Sequence, residues 1–208
     1  MKWFAGLVLA LALLIGCQTN APTPMLMGSL VKQNDEVVSL YAACSEGANY
    51  VSSKEGCEPN LLATKVDSTM EFSKLFISGD IKQPQGYDIY LATAEIAIRM
   101  HAVAARIEND YSEAERIARQ FFEIQKAHSG RSLGPARFYW AAIASGHASW
   151  QWHYDRLALD ADRKAELLEC LAQGRIGLTD TTRLDGPKRV RLRSYIDNLT
   201  RITNKIEG

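Results

Sequence analysis

From Leu30 to Ile206 apolar residues recur at intervals of three and four, and no stretch alternates apolar with polar residues at the period of a strand. An all-α body of antiparallel helical hairpins is therefore expected, because short connections make consecutive helices neighbours. The first helix is predicted over Leu30–Ala43, with Val37, Val38, Tyr41 and Ala42 apolar. A second starts near Pro59 and carries Leu62, Val66, Met70, Ser73 and Ile77 on one stripe, until "GDIKQPQGYD" breaks it. Tyr87–Asn109 is the most apolar segment, so it is expected to be central and covered on more than one side. Ser112 and Glu115 stand in capping-box spacing at the head of a fourth helix, which runs through Ala114, Ile117, Ala118, Phe121 and Phe122 to Gly130. A fifth helix is predicted from Pro135 to about Leu157, a sixth from Asp160 or Asp162 to about Leu178, and a seventh from Pro187, with Leu192, Ile196, Leu199, Ile202 and Ile206 apolar.

The N-terminus has a different character. Lys2 precedes an aliphatic run, Leu7–Ile15, that is shorter than the ~20 residues needed to span a bilayer but fits a secretory leader. The run closes on Leu14-Ile15-Gly16-Cys17, which resembles the bacterial lipobox. That resemblance implies that residues 1–16 are a signal peptide and that Cys17 becomes the first residue, bearing diacylglycerol and an acylated amine. Several acyl chains, at about 0.8 kcal/mol per buried CH₂, give a stable anchor where one is marginal. Gln18 rather than Asp follows Cys17, so the resemblance implies sorting to the outer membrane. Residues 17–29, with "QTNAPTPMLMGS", read as a lipidated tether ahead of a single helical domain over 30–208.

Charge and cysteine usage fit that compartment. The chain has 24 Lys+Arg against 24 Asp+Glu, and loss of Lys2 with the leader leaves 23 against 24. Such a balance offers no footprint for nucleic acid. Cys44 and Cys57 flank the Gly- and Ser-containing stretch "SEGANYVSSKEG" and are expected to pair in an oxidising periplasm. Cys170, within "ELLECLAQG", is expected to be a buried, inert thiol.

The segment "DYSEAERIARQFFEIQKA" resembles the second helix of a tetratricopeptide repeat, with Tyr111, Ala114, Ala118 and Phe121 at the packing positions, and "DRKAELLECLAQG" resembles a weaker copy. Tetratricopeptide-like hairpins and an irregular α-bundle both fit these residues.

Chemistry-bearing residues are sparse. Trp140, Trp150 and Trp152 share one segment with Phe138, Tyr139, Tyr154 and the small-residue stretch "AAIASGHAS". On a helical wheel Tyr139, Ile143, Gly146, Trp150 and Leu157 share one face, while Trp140, Ala144, His147 and Gln151 share another. Trp140, His147 and Gln151 are candidates for a protein-binding surface, with core packing on both faces as the alternative. Glu95 and Arg99 have the spacing of an i, i+4 ion pair, or of a ligand clamp beside Arg106. His147 and His153 are too far apart around a helix to share a metal, and His101 and His128 stand alone. No metal or cofactor is expected. No G-x-S-x-G elbow or Gly-rich phosphate loop is present, so no enzymatic activity is expected. "PKRVRLRSY" places four basic residues at the head of the last helix, where Asp185 can offset the unfavourable dipole.

These readings converge on a membrane-anchored, periplasm-facing lipoprotein. Its partners would be the bilayer, through acylated Cys17, and an envelope protein for which it serves as adaptor or assembly factor. The alternatives are a cell-wall enzyme or small-ligand binder using Glu95 and Arg99, and a structural or exclusion lipoprotein.

Overall fold

The computed structural model describes residues 23–47, 49–78, 84–108, 111–127, 133–180 and 184–206. Cys17, the apolar leader, residues 18–22 and His128 lie outside them. Among the described residues the chain is all-α, with seven helices in adjacent antiparallel pairs and one two-residue hairpin. Its contacts group into two compact units.

The first unit contains α1 (Thr23–Ala43), α2 (Pro59–Ser78) and residues 84–93 of α3 (Pro84–Glu108). Helix α1 starts seven residues before the expected Leu30, inside the segment read as a tether. Pro24 lies in its first turn, where a missing N–H costs nothing. The apolar residues that follow explain the early start: Leu26, Met27 and Leu30 are buried with Phe76 and Ile89. In α2 the expected stripe of Leu62, Val66, Met70 and Ser73 is buried, but it ends on Phe76 rather than on Ile77. Lys65 bonds Glu36 across α1 and α2 at 2.6 Å. Cys44 and Cys57 form the expected disulfide, and closing a loop of this size is worth about 3 kcal/mol in the chain-entropy account.

The second unit holds β1 (Ser45–Glu46) and β2 (Asn49–Tyr50), residues 94–108 of α3, and helices α4 (Ser112–Ala127), α5 (Gly134–Tyr154), α6 (Ala161–Thr179) and α7 (Gly186–Thr203). Helix α5 is the central element, flanked by α4, α6 and α7. Its small residues serve close approach, as the sequence suggested: Ala141, Ala144 and Ala148 are fully buried. Gly174 of α6 continues the theme, for a Cβ there would meet Ile196 at 3.1 Å and Ala141 at 3.8 Å. In α3 the consecutive residues Ile96, Ala97 and Ile98 are all buried, so this helix is covered on more than one side.

Capping sets two helix starts. Asp160, not Asp162, caps α6 by accepting from the Arg163 N–H at 2.8 Å, and Asp185 caps α7 by accepting from the Lys188 N–H at 2.7 Å. Helix α5 stops at Tyr154, three residues before the expected Leu157, and gives way to a 3₁₀ turn over Arg156–Ala158. Leu157 therefore leaves the wheel face on which the sequence placed it.

Among the described glycines of the first unit, Gly86 in the first turn of α3 has the closest neighbour, for a Cβ there would overlap Cβ and Cγ of Phe76. Replacing a helical glycine by alanine ordinarily gains up to about 1 kcal/mol. Here overpacking against a fully buried ring is expected to reverse the sign, with Gly86→Ala costing about 1–3 kcal/mol in urea denaturation. Gly28→Ala in α1, where nothing stands within 4 Å, is the matched control and is expected to be neutral or stabilising. A Gly86→Ala midpoint at or above wild type would overturn this packing account.

Candidate functional site

The cap at Asp160 fixes where α6 begins, and thereby places Arg163 in its first turn, facing α4 and α5. Its guanidinium forms a two-pronged bond to Glu115 of α4, Nη1 to Oε1 at 2.9 Å and Nη2 to Oε2 at 2.7 Å. Arg163 Nε donates to Gln151 Oε1 of α5 at 3.0 Å, and Nη1 donates to Glu166 Oε2 at 3.0 Å. His147 Nδ1 lies 2.5 Å from Glu115 Oε2. These charges are removed from most of the solvent: the Arg163 side chain is 11% exposed and that of Glu115 13%.

Burial pushes the Glu115 carboxyl up, but the bonds from His147 and Arg163 outweigh it and hold the group below its ordinary value. Burial likewise pulls Arg163 down, and Glu115 reverses this, so that Arg163 titrates above its ordinary value. With the carboxyl ionised, a separation of 2.5 Å requires a proton between the two atoms, and it belongs to His147 Nδ1. Nδ1 then has no lone pair for Arg163 Nη2, which at 3.2 Å is a neighbour rather than a donor to it. Nε2 has no hydrogen-bond partner among the described residues and is not a buried atom, so water reaches it.

Tyr111 stacks on the imidazole with ring centroids 5.8 Å apart and planes 15° from parallel. Gly146 makes room for that ring, since a Cβ there would stand 3.1 Å from Tyr111 Cε1. Two clefts open beside His147. One, of about 630 Å³, lies along α4 and α6; the other, of about 420 Å³, is lined by Tyr111, Trp150, Gln151 and Asp155. Ser112 and His147 line both.

The sequence candidates are distributed unevenly over this arrangement. His147 and Gln151 come together, one turn apart on α5, and both bond the Glu115–Arg163 pair. Trp140 does not join them: it is 2% exposed and packs on Phe122 of α4 with centroids 5.0 Å apart, so it is a core residue and not part of a surface. Gln151, at 6% exposure, is likewise an interior hydrogen-bonding residue rather than a surface contact. Glu95 and Arg99 form the i, i+4 ion pair, and the Tyr139 hydroxyl donates to Glu95 while receiving Arg99 Nη2 at 3.1 Å. Burial, with Glu95 beside it, raises the Tyr139 hydroxyl far above its usual range, so it remains a donor. Cys170 is buried, and desolvation pushes its thiol well up, which keeps it un-ionised at neutral pH.

Two residues had no signal in the sequence. Arg163 lies 48 positions from Glu115, and Glu115 itself reads as a capping residue; its carboxylate instead serves Arg163 and His147. Asn198 of α7 donates to Ser145 Oγ and Ser149 Oγ of α5, both at 2.8 Å, and nothing local marks it.

No helix among the described residues is long and apolar enough to cross a membrane. No known protein family, no curated protein and no solved structure matches the chain.

A lowered carboxyl contributes stability that is complete above its unfolded value, near 4.5, and is lost as pH falls through the folded value. Glu115→Gln is therefore expected to be less stable than wild type at pH 7, with the gap closing as the pH falls below about 4.5. Urea denaturation of both proteins across that window reads the difference. A gap independent of pH would show that the charge on Glu115 contributes nothing.

Proposed function

We propose that this chain is a lipid-anchored protein of the bacterial outer membrane, facing the periplasm, that acts by holding a protein partner as an adaptor or assembly factor. The observation that carries the reading is the short aliphatic run ending at Leu14-Ile15-Gly16-Cys17. Acylation at Cys17 would confine the helical body to a membrane surface and raise its effective concentration toward a partner held there. The reading gives the chain no catalytic step.

Support for a protein-binding surface comes from the corner after α5, not from Trp140. Tyr154 is 78% exposed and Leu157 is 95% exposed. Beside them Trp152 has Arg156 over its ring, 4.3 Å from the centroid, and Lys205 at 5.3 Å. Tryptophan, tyrosine and arginine are the side chains that most often carry binding energy at protein interfaces.

Labelled palmitate is expected to enter the wild-type chain and not Cys17→Ala. Cross-linking in the intact envelope is expected to capture one defined partner, lost at least about tenfold in Tyr154→Ser plus Leu157→Ser and retained in Val190→Ser, which alters an exposed residue of α7. Absence of label from wild type would overturn the anchor. Capture unchanged by the corner variant would overturn the surface.

A further inference from the structure

We propose that the two clefts meeting at His147 form one binding site for a neutral, hydroxyl-rich saccharide, with His147 Nε2 at its centre. The inference stands apart from the anchor and from the corner at Tyr154. It starts from the imidazole, which is held by Glu115 at Nδ1 and by Tyr111 on its face, so that Nε2 is presented in a fixed place. Holding a ring so firmly while leaving its second nitrogen open to water is what a ligand-facing hydrogen-bonding group requires. Clefts of about 630 and 420 Å³ fall within the range of small-ligand sites, about 300–1,000 Å³.

Ligand class follows from charge and from the mixture of lining groups. The wider cleft carries Arg116, Arg119 and Arg163 against Glu115, Glu123 and Glu166, three of each sign. Arg163 is committed to Glu115, and Arg119 lies 3.2 Å from Glu166. An anionic ligand would have to break those pairs, and the narrower cleft offers it Asp155, a charge of the wrong sign. A neutral ligand meets no such barrier. Trp150 and Tyr111 supply ring surface for the apolar C–H face of a pyranose, while Asp155 and Nε2 supply hydrogen-bonding groups for its rim. A sugar hydroxyl both donates and accepts, so it serves Nε2 whether that atom carries a proton or not.

The test uses the full chain, with saturation-transfer NMR and calorimetric titration against maltotetraose and the β-1,4-linked N-acetylglucosamine tetramer, and with tetragalacturonate as the charged counterpart. At least one neutral tetramer is expected to bind saturably, with Kd about 1 mM or tighter. His147→Gln, which retains a donor toward Glu115, is expected to weaken binding about tenfold, as loss of a ligand hydrogen bond does. Asp155→Asn, outside the buried pair, is expected to weaken it several-fold with an unchanged melting temperature, and carries the test if His147→Gln fails to fold. Three outcomes would overturn the proposal: no transfer to either neutral tetramer, binding undiminished in both variants, or tighter binding of the charged tetramer.

Discussion

The two-pronged bond between Arg163 and Glu115 is the constraint on which the second unit depends. Taking both charges out of water costs several kcal/mol per ion, and their attraction offsets that only when geometry and remaining hydrogen bonds are complete. Here they are: Glu115 receives Arg163 on both oxygens and His147 on one, while Arg163 also reaches Gln151 and Glu166. The partners come from three helices, Glu115 from α4, His147 and Gln151 from α5, and Arg163 and Glu166 from α6, so the pair is satisfied in one register of α4, α5 and α6. Rotating any of the three by a residue turns its group about 100° away and leaves a buried charge unmatched. The pair thus acts on specificity of packing more than on net stability.

Apolar packing supplies the stability that the ion pair does not. Helix α5 buries Ala141, Ala144 and Ala148, and the Gly174 backbone of α6 lies against Ala141 and allows α7 to pack through Ile196. Asn198 adds a polar clamp from α7 onto the same helix, bonding Ser145 and Ser149. The first unit works differently. Its described core is aliphatic and aromatic, Leu26, Met27, Leu30, Phe76 and Ile89, with the Cys44–Cys57 bridge restricting the unfolded chain rather than adding contacts.

Helix number and order were legible in the sequence because amphipathic period is a local property, as the buried stripe Leu192, Ile196, Leu199, Ile202 shows in α7. The pairing of Cys44 with Cys57 was legible too, since short separation and a turn-rich intervening stretch are local. Boundaries were less so: Thr23–Ser29 reads as tether by composition, and only the placement of Phe76 and Ile89 beside Leu26 and Met27 makes it helix. The site was legible in half. His147 and Gln151 share a wheel face, which periodicity reveals. What they share is the Glu115–Arg163 pair, which His147 meets at Glu115 and Gln151 at Arg163, and a contact between α4 and α6 leaves no trace in local spacing. Trp140 stayed open between surface and core for a related reason: a wheel shows that residues share a face, but not whether a neighbouring helix covers it.

One consequence ties the fold to the candidate site. Glu115 both closes the interhelical ion pair and fixes the proton on His147 Nδ1, so the atom that orients the imidazole also holds α4 to α6. Loss of Arg163 would free Glu115, loosen the helices and release the ring together, and a functional defect in such a variant would carry no information about the cleft. Residues at the rim are different. Asp155 ends α5 and lines the narrower cleft without a bond to the buried pair, so its charge is removable while the imidazole stays in place. Binding and stability at this junction are therefore separable only from the rim inward, and the imidazole's orientation is the quantity that joins them.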